Sequence, residues 1–181
     1  LCSGATSSEQ SLLSFSYIIG NLGGNYQGMQ TNTDSIPLIF PAFEYKLTQK
    51  EGKLFIFDAI AKKFRSLSPE EWVRQHCLHF LTHHLHYPAS CIQIEGGHQI
   101  NSMQRRTDIQ VFDPTGQLLL IIECKAPHIA ISEQSLMQIS QYQKNNEARY
   151  IALTNGLENH IFEINLQDKQ AIKINQFPSY L

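Results

Sequence analysis

Two charged residues end the most apolar stretch of this sequence. The run L-L-L-I-I at 118–122 predicts a buried strand, and Glu123 and Lys125 come just after it. Because side chains alternate along a strand, Glu123 and Lys125 are expected on the same face. A carboxylate and an ammonium at the end of a core strand cost free energy unless they pair or take part in chemistry. The two residues are therefore either a structural ion pair or part of a functional site.

A second carboxylate is expected beside this pair. Asp108 begins another strand candidate at 108–112, and the D-P-T-G turn at 113–116 predicts a hairpin that brings Asp108 close to Glu123. Two close carboxylates need a cation to offset their repulsion, and hard oxygen ligands suit Mg²⁺ or Mn²⁺ rather than zinc. The alternative for Asp108 is a plain turn residue at a strand edge.

The first predicted helix has a clear beginning. Ser68 suits the N-cap, Pro69 the first helical position, and Glu71 stands three residues after the cap, as a capping box requires. Apolar residues recur at helical spacing from there to about His86, where Tyr87-Pro88 stops the helix. The sequence therefore predicts a helix over 69–86 that buries one face.

The remaining elements give the fold class. Apolar or alternating runs bounded by turn residues predict strands at 43–47, 53–58, 91–95, 108–112, 118–125, 150–154 and 160–164. The first two flank Glu51-Gly52 and form a hairpin, and a second helix starts at Ser132 and runs to about Asn145. This order predicts an α/β domain with a mixed central sheet flanked by helices and an N-terminal β-hairpin.

Composition excludes several classes of protein. The chain has 181 residues, 42% hydrophobic and 17% charged, which suits one globular domain rather than a disordered chain. Its longest apolar run is too short for a membrane span, and without a G-x-x-x-x-G-K-[ST] motif no nucleotide cofactor is expected. Four cysteines without a C-x-x-C pair favour reduced thiols in the cytoplasm. Residues 1–35, rich in Ser, Gly and Asn, predict a poorly structured lead-in to a domain over 36–181.

Taken together, these motifs resemble those of a known superfamily. Asp108, followed by E-C-K at 123–125, is similar to the D…(D/E)-x-K signature of the PD-(D/E)XK nucleases, although Thr107 stands where the pattern has proline. Gln138 and Tyr142 match the Q-x-x-x-Y motif of a subset of these enzymes. More closely, residues from about 41 to 164 resemble the N-terminal nuclease domain of type I restriction enzyme R subunits. Four stretches carry that likeness: P-E-E-W-V-R-Q at 69–75, R-T-D-I at 106–109, E-C-K-A-P at 123–127 and T-N-G at 154–156.

The resemblance implies a metal-dependent site. Asp108 and Glu123 would bind Mg²⁺, or Mn²⁺, with the backbone carbonyl of Cys124 as a third ligand. Lys125 would orient or help to deprotonate the attacking water and offset charge on the phosphorane. The implied fold is a restriction-endonuclease-like PD-(D/E)XK core.

Further residues receive supporting roles from the same resemblance. Gln138 and Tyr142, four apart on one helical face, would position the lysine, the metal water or the phosphate; the alternative is a polar helix face. Glu70 would add a carboxylate from the core-facing side of the first helix, or is simply an acid favoured by the helix dipole. Arg105 and Arg106 would contact DNA phosphates, or serve only as surface residues.

Histidines crowd the first predicted helix: His76, His79, His83, His84 and His86. His79 and His83 have the spacing of a zinc pair, but no H-E-x-x-H motif occurs. We interpret these histidines as a solvated or phosphate-facing surface.

The expected function is Mg²⁺-dependent hydrolysis of phosphodiester bonds in DNA, by an endonuclease domain of a restriction or DNA-processing system. Its partners would be DNA and other proteins of a larger restriction or repair complex, with no membrane involved. Two alternatives retain the nuclease fold. One is a non-catalytic nucleic-acid-binding module, which the intact E-x-K at 123–125 argues against. The other is an interaction module, which the net charge of −2 keeps open because a DNA-binding domain usually carries more positive charge.

Overall fold

A computed structural model describes residues 38–94, 108–132, 148–165, 167–168 and 170–180 of the chain. Four predicted site residues lie outside these ranges: Arg105, Arg106, Gln138 and Tyr142. The predicted second helix, apart from Ser132, and the predicted lead-in at 1–35 also lie outside them. The roles and boundaries assigned to these residues stay predictions.

A three-stranded antiparallel sheet comes first, in the order β1-β2-β3. Its strands are β1 (Leu47–Lys50), β2 (Lys53–Asp58) and β3 (Lys63–Ser66). The predicted hairpin across Glu51-Gly52 is confirmed, with both turn residues at positive φ, 52° and 75°. Two details differ from the prediction: β1 begins at Leu47 instead of ending there, and β3 extends the hairpin into a sheet.

The larger sheet has six strands in the order β4-β5-β6-β7-β8-β9. These strands are β4 (Ile92–Ile94), β5 (Ile109–Phe112), β6 (Leu118–Cys124), β7 (Tyr150–Thr154), β8 (Asn159–Ile164) and β9 (Ala171–Ile174). Only β6 and β7 pair in parallel; the other neighbours are antiparallel. The mixed α/β class is therefore confirmed, and five predicted strands appear within a residue or two of their expected bounds.

Helix α1 (Pro69–His79) starts where the sequence predicted. The Ser68 hydroxyl accepts a hydrogen bond from the Glu71 backbone N–H at 3.0 Å. After His79 the chain continues as one π-helical turn over Phe80–His84. The expectation of a solvated histidine surface is wrong for His76, which is only 6% exposed and donates from Nδ1 to the Trp72 carbonyl at 3.1 Å.

The core lies between α1 and one face of the larger sheet. Val73, Cys77 and Leu81 on α1 and the following turn are fully buried and pack in one cluster with Leu120 and Ile122 of β6. Each such aliphatic side chain contributes about 1.5–3 kcal/mol to folding when fully buried. This packing fixes the start of α1 near the end of β6, where the predicted site residues stand.

Among the residues that the structure describes, no helix combines the length and apolarity that a membrane crossing requires.

Candidate active site

Asp108 and Glu123 meet at one end of the β5–β6 hairpin, as predicted. Ile109 pairs with Ile122 in the antiparallel register, so the residues flanking that pair, Asp108 and Glu123, are cross-strand neighbours. The Cys124 backbone N–H donates to Asp108 Oδ2 at 2.7 Å, which ties the aspartate to the end of β6. The hairpin turn at Asp113 and a β-bulge between Val111 and Phe112 together set this register.

Glu123 and Lys125 form the expected ion pair. Lys125 Nζ donates to Glu123 Oε1 at 2.6 Å, and the side chains are 26% and 21% exposed. The other carboxylate oxygen, Glu123 Oε2, is buried and has no hydrogen-bond partner in the described part of the chain. The ion pair therefore satisfies only half of the Glu123 carboxylate.

The pKa of Glu123 is raised to about 7. Burial is the largest cause, the Asp108 charge adds to it, and the hydrogen bond and charge of Lys125 only partly offset both. For Lys125, burial lowers the pKa, but the hydrogen bond and charge of Glu123 outweigh it and leave the pKa above its ordinary value. Lys125 is thus protonated at neutral pH, whereas Glu123 exchanges its proton near neutral pH.

Burial also raises the pKa of Asp108. It outweighs the Cys124 N–H, the Arg74 guanidinium and Lys125, which all lower that pKa. Glu70 is exposed to solvent at the start of α1, so it does not enter the core. It nevertheless lies within electrostatic range of the site, because desolvation and then Asp108 raise its pKa while Lys125 and Arg74 lower it. The site collects three carboxylates from α1, β5 and β6.

Arg74 belongs to this site, although the sequence analysis did not single it out. Its guanidinium pairs with Glu71 Oε2, and Gln75 Nε2 donates to Glu71 Oε1 at 2.8 Å. The side chain is 11% exposed, and Nε is buried with no partner among the described residues. The Glu71 carboxylate thus binds the side chains of Arg74 and Gln75, instead of accepting from the Ser68 backbone N–H as in a full capping box. The available signal was the i, i+3 and i, i+4 spacing of the three side chains.

Cys124 contributes to the site through its backbone only. Its thiol is fully buried in the core, and a hydrogen bond with Cys77 followed by desolvation raises its pKa well above the ordinary value. A thiol in that state is a poor metal ligand. The role of the Cys124 carbonyl as a ligand stays a prediction.

The T-N-G segment at 154–156 supports the loop that carries Lys125. The Lys125 backbone N–H donates to the Thr154 carbonyl at 2.8 Å, and Asn155 Nδ2 donates to the Ile129 carbonyl at 3.0 Å. Asn155 Oδ1 accepts from the N–H groups of the two residues after Gly156, which stabilises the turn between β7 and β8.

Asp108 and Glu123 are the donors that this site offers to a metal ion. Within the described ranges no group of three or more His, Cys, Asp or Glu side chains converges as a metal cage. Mg²⁺, however, commonly uses one or two protein carboxylates and fills the rest of its shell with water and substrate oxygens. Asp108 and Glu123, with the buried unpartnered Oε2 of Glu123, fit that requirement.

Comparison with known proteins defines the class. The family model for the type I restriction enzyme R protein N terminus (HSDR_N) matches residues 69–178, more than half of the chain. This chain therefore belongs to that family.

Among solved structures, the chain is similar to the fragment structure of a predicted HsdR subunit of a type I restriction enzyme from Vibrio vulnificus YJ016, with 19% identity and a TM-score of 0.33. The match covers 49% of this chain and 16% of that one, so the chain spans a small part of its relative. A search of curated proteins found no match.

Proposed function

We propose that this chain is a PD-(D/E)XK nuclease domain that hydrolyses phosphodiester bonds in DNA with Mg²⁺, within a type I restriction system. The observation that carries the proposal is the arrangement at the β5–β6 end. There Asp108 stands across from Glu123, Lys125 Nζ lies 2.6 Å from one Glu123 oxygen, and the other oxygen has no partner. DNA and the other subunits of a restriction complex are the proposed partners.

Each residue has a role that follows from its chemistry. Asp108 and Glu123 would hold the divalent ion, which supplies Lewis-acid polarisation of the phosphate and a lowered pKa for bound water. Lys125, a cation fixed by its ion pair, is suited to stabilise negative charge as it develops on the phosphoryl oxygens. Arg74 adds a second cation near Asp108, and Glu70 offers a further carboxylate from the helix.

The decisive experiment is cleavage of supercoiled plasmid by purified protein with Mg²⁺, comparing wild type with Asp108→Asn and Lys125→Met. Removing one such charge-stabilising group costs about a hundredfold or more in rate. The matched control is Asp168→Asn, which changes an exposed aspartate in the connection between β8 and β9. We expect the control to cut like wild type. DNA binding measured with Ca²⁺ should change far less than cleavage in Asp108→Asn and Lys125→Met.

Metal binding gives a readout that does not depend on cleavage. Mg²⁺ should raise the melting temperature of the wild type, because a bound cation relieves the repulsion between Asp108 and Glu123. Glu123→Gln should lose most of that shift. Wild-type protein that binds DNA but neither cuts it nor responds to Mg²⁺ would refute the nuclease proposal and favour the binding module.

A further inference from the structure

A concave site lies along α1, apart from the candidate active-site carboxylates. It is a groove of about 810 Å³ between α1, the segment that leads into β1, and the end of β2. We call it the aromatic groove; the residues that matter for its chemistry are Phe43, Tyr45, Lys46, Phe57, His79 and His83. Its volume lies in the range of pockets that hold small organic ligands, and none of the candidate active-site carboxylates lines it.

The groove is built around a stack of flat rings. Phe43 stacks on His79 with centroids 4.7 Å apart, and His79 stacks on His83 at 4.0 Å with only 10° between the planes. Burial and then the neighbouring His83 and His84 lower the pKa of His79, so its ring stays neutral at physiological pH. His83, at the end of the stack, is exposed. The stack therefore ends in a ring that solvent, or another flat ring, can reach.

Charge in the groove is sparse. Lys46 Nζ lies 6.0 Å from the centroid of the Phe57 ring, and Glu44 is the carboxylate that lines the groove with it. Hydrogen-bonding groups are present as well, from Gln75 and Thr82. Several rings, one cation and a few polar groups are the chemistry that recognises unpaired bases, in which stacking contributes a factor of about 5 to 150 in affinity per base and every base offers a π-face.

The groove is also linked to the candidate active site. Gln75 lines the groove and donates at 2.8 Å to Glu71, the residue that pairs with Arg74 beside Asp108. Both sites therefore depend on one rigid helix, and a strand held in the groove would lie on the same element that frames the carboxylates.

We propose that the aromatic groove binds unpaired nucleobases of single-stranded DNA. The proposal rests on the proposed function and specifies its substrate: DNA with an unpaired segment would be held next to the cleavage site more tightly than blunt duplex.

The test compares the affinities of a labelled oligothymidine and a blunt duplex of the same length, with Ca²⁺ replacing Mg²⁺. The variant is His83→Ala combined with Lys46→Ala, two exposed residues whose loss should leave folding intact. The control is His84→Ala, an exposed neighbour that does not line the groove. Since stacking on one ring is worth a factor of about 5 to 150, we expect the double variant to lose about tenfold in single-strand affinity. Duplex affinity and the control should change less than about twofold.

Salt separates stacking from simple charge. A stacking contribution is not screened, so most of the difference between wild type and double variant should persist when salt is raised to 0.5 M. The single tryptophan gives an independent signal, because Trp72 packs edge-on against Tyr45 at 5.1 Å and should change its emission when the groove fills.

Two results would overturn the proposal: an equal loss of single-strand and duplex affinity, or a loss that disappears at high salt. Neither depends on catalysis. If Asp108→Asn abolishes cleavage while the groove variant behaves like wild type, the nuclease stands and the groove proposal fails. If wild type never cuts DNA but shows the predicted loss of single-strand affinity in the double variant, the groove proposal stands and the nuclease proposal fails.

Discussion

Replacing Glu123 by glutamine should stabilise the metal-free protein, and only at high pH. Burial and Asp108 raise the pKa of Glu123 from its ordinary 4.5 to about 7, so the folded protein holds a proton that the unfolded chain releases. A group with a raised acid pKa favours folding at low pH, and that contribution is lost as pH rises from 4.5 through about 7. Glutamine resembles the protonated carboxyl and does not titrate.

The expected size follows from the shift. At about 1.36 kcal/mol per pKa unit, a rise from 4.5 to about 7 corresponds to about 3 kcal/mol. The Glu123 side chain is 21% exposed, so solvent screening removes little of this. Glu123→Gln should therefore be more stable than wild type by about 2–3 kcal/mol above pH 8, and equal to it at pH 4.5 and below.

The assay is urea unfolding followed by the fluorescence of the single tryptophan, at pH 4.5 and 8.5, with EDTA in every sample. Acid effects common to both proteins cancel in the difference. A gain of the same size at both pH values would mean that packing, not charge, separates the two proteins. A loss of stability at pH 8.5 would show that the Glu123–Lys125 ion pair is a net stabilising contact, and the reasoning would fail.

Two further predictions concern turns. Asp113→Asn should have the opposite effect on stability, because hydrogen bonds from the Thr115 hydroxyl and the Gln117 N–H lower the pKa of Asp113. The variant should be less stable than wild type at pH 7, and the difference should shrink as the pH falls below 3.8. Thermal melts at several pH values would show this. Gly156→Ala should lose about 1–3 kcal/mol in urea unfolding, since φ is +80° and the new Cβ would lie 2.7 Å from a Leu38 methyl, whereas Gly116→Ala, at φ +84° with open space around it, should lose only about 1 kcal/mol. Equal losses at the two glycines would contradict the steric part of this argument.

Patterns that are local in sequence predicted the frame of the molecule. The apolar run of β6, the turn at Asp113 and the cap at Ser68 each act through near neighbours, and each appears where the sequence indicated. Two strands were missed. β3 has only four residues, and the turn before it has Lys62 at a positive φ of 53°, where a glycine would have marked the turn in the sequence. β9 is a short, exposed edge strand without a clear apolar pattern.

The site could be predicted only as far as the hairpin reaches. Alternation places Glu123 and Lys125 on one face and can be inferred from spacing. The hairpin brings Asp108 near them, but the register that puts it opposite Glu123 also depends on a β-bulge that spacing does not reveal. Arg74 and Glu70 act on the same carboxylates from a helix more than thirty residues earlier, and only the tertiary packing of α1 on β6 brings them there. Glu70 was predicted from the family resemblance, whereas Arg74 was missed. Residues whose proximity depends on packing between distant elements leave no local pattern to read.

The charges at the site argue against the structural ion pair as a full account. A structural pair should satisfy both partners, yet Glu123 Oε2 is buried without one, and the pKa of Glu123 is far above its ordinary value despite Lys125. Asp108 and Glu70 add further negative charge to the same place, and both raise the pKa of Glu123. An arrangement that the folded protein stabilises poorly by itself, but that a divalent cation would relieve, is typical of a binding site. The repulsion among the carboxylates of Glu123, Asp108 and Glu70 supports the proposed metal more than the ion pair with Lys125 does.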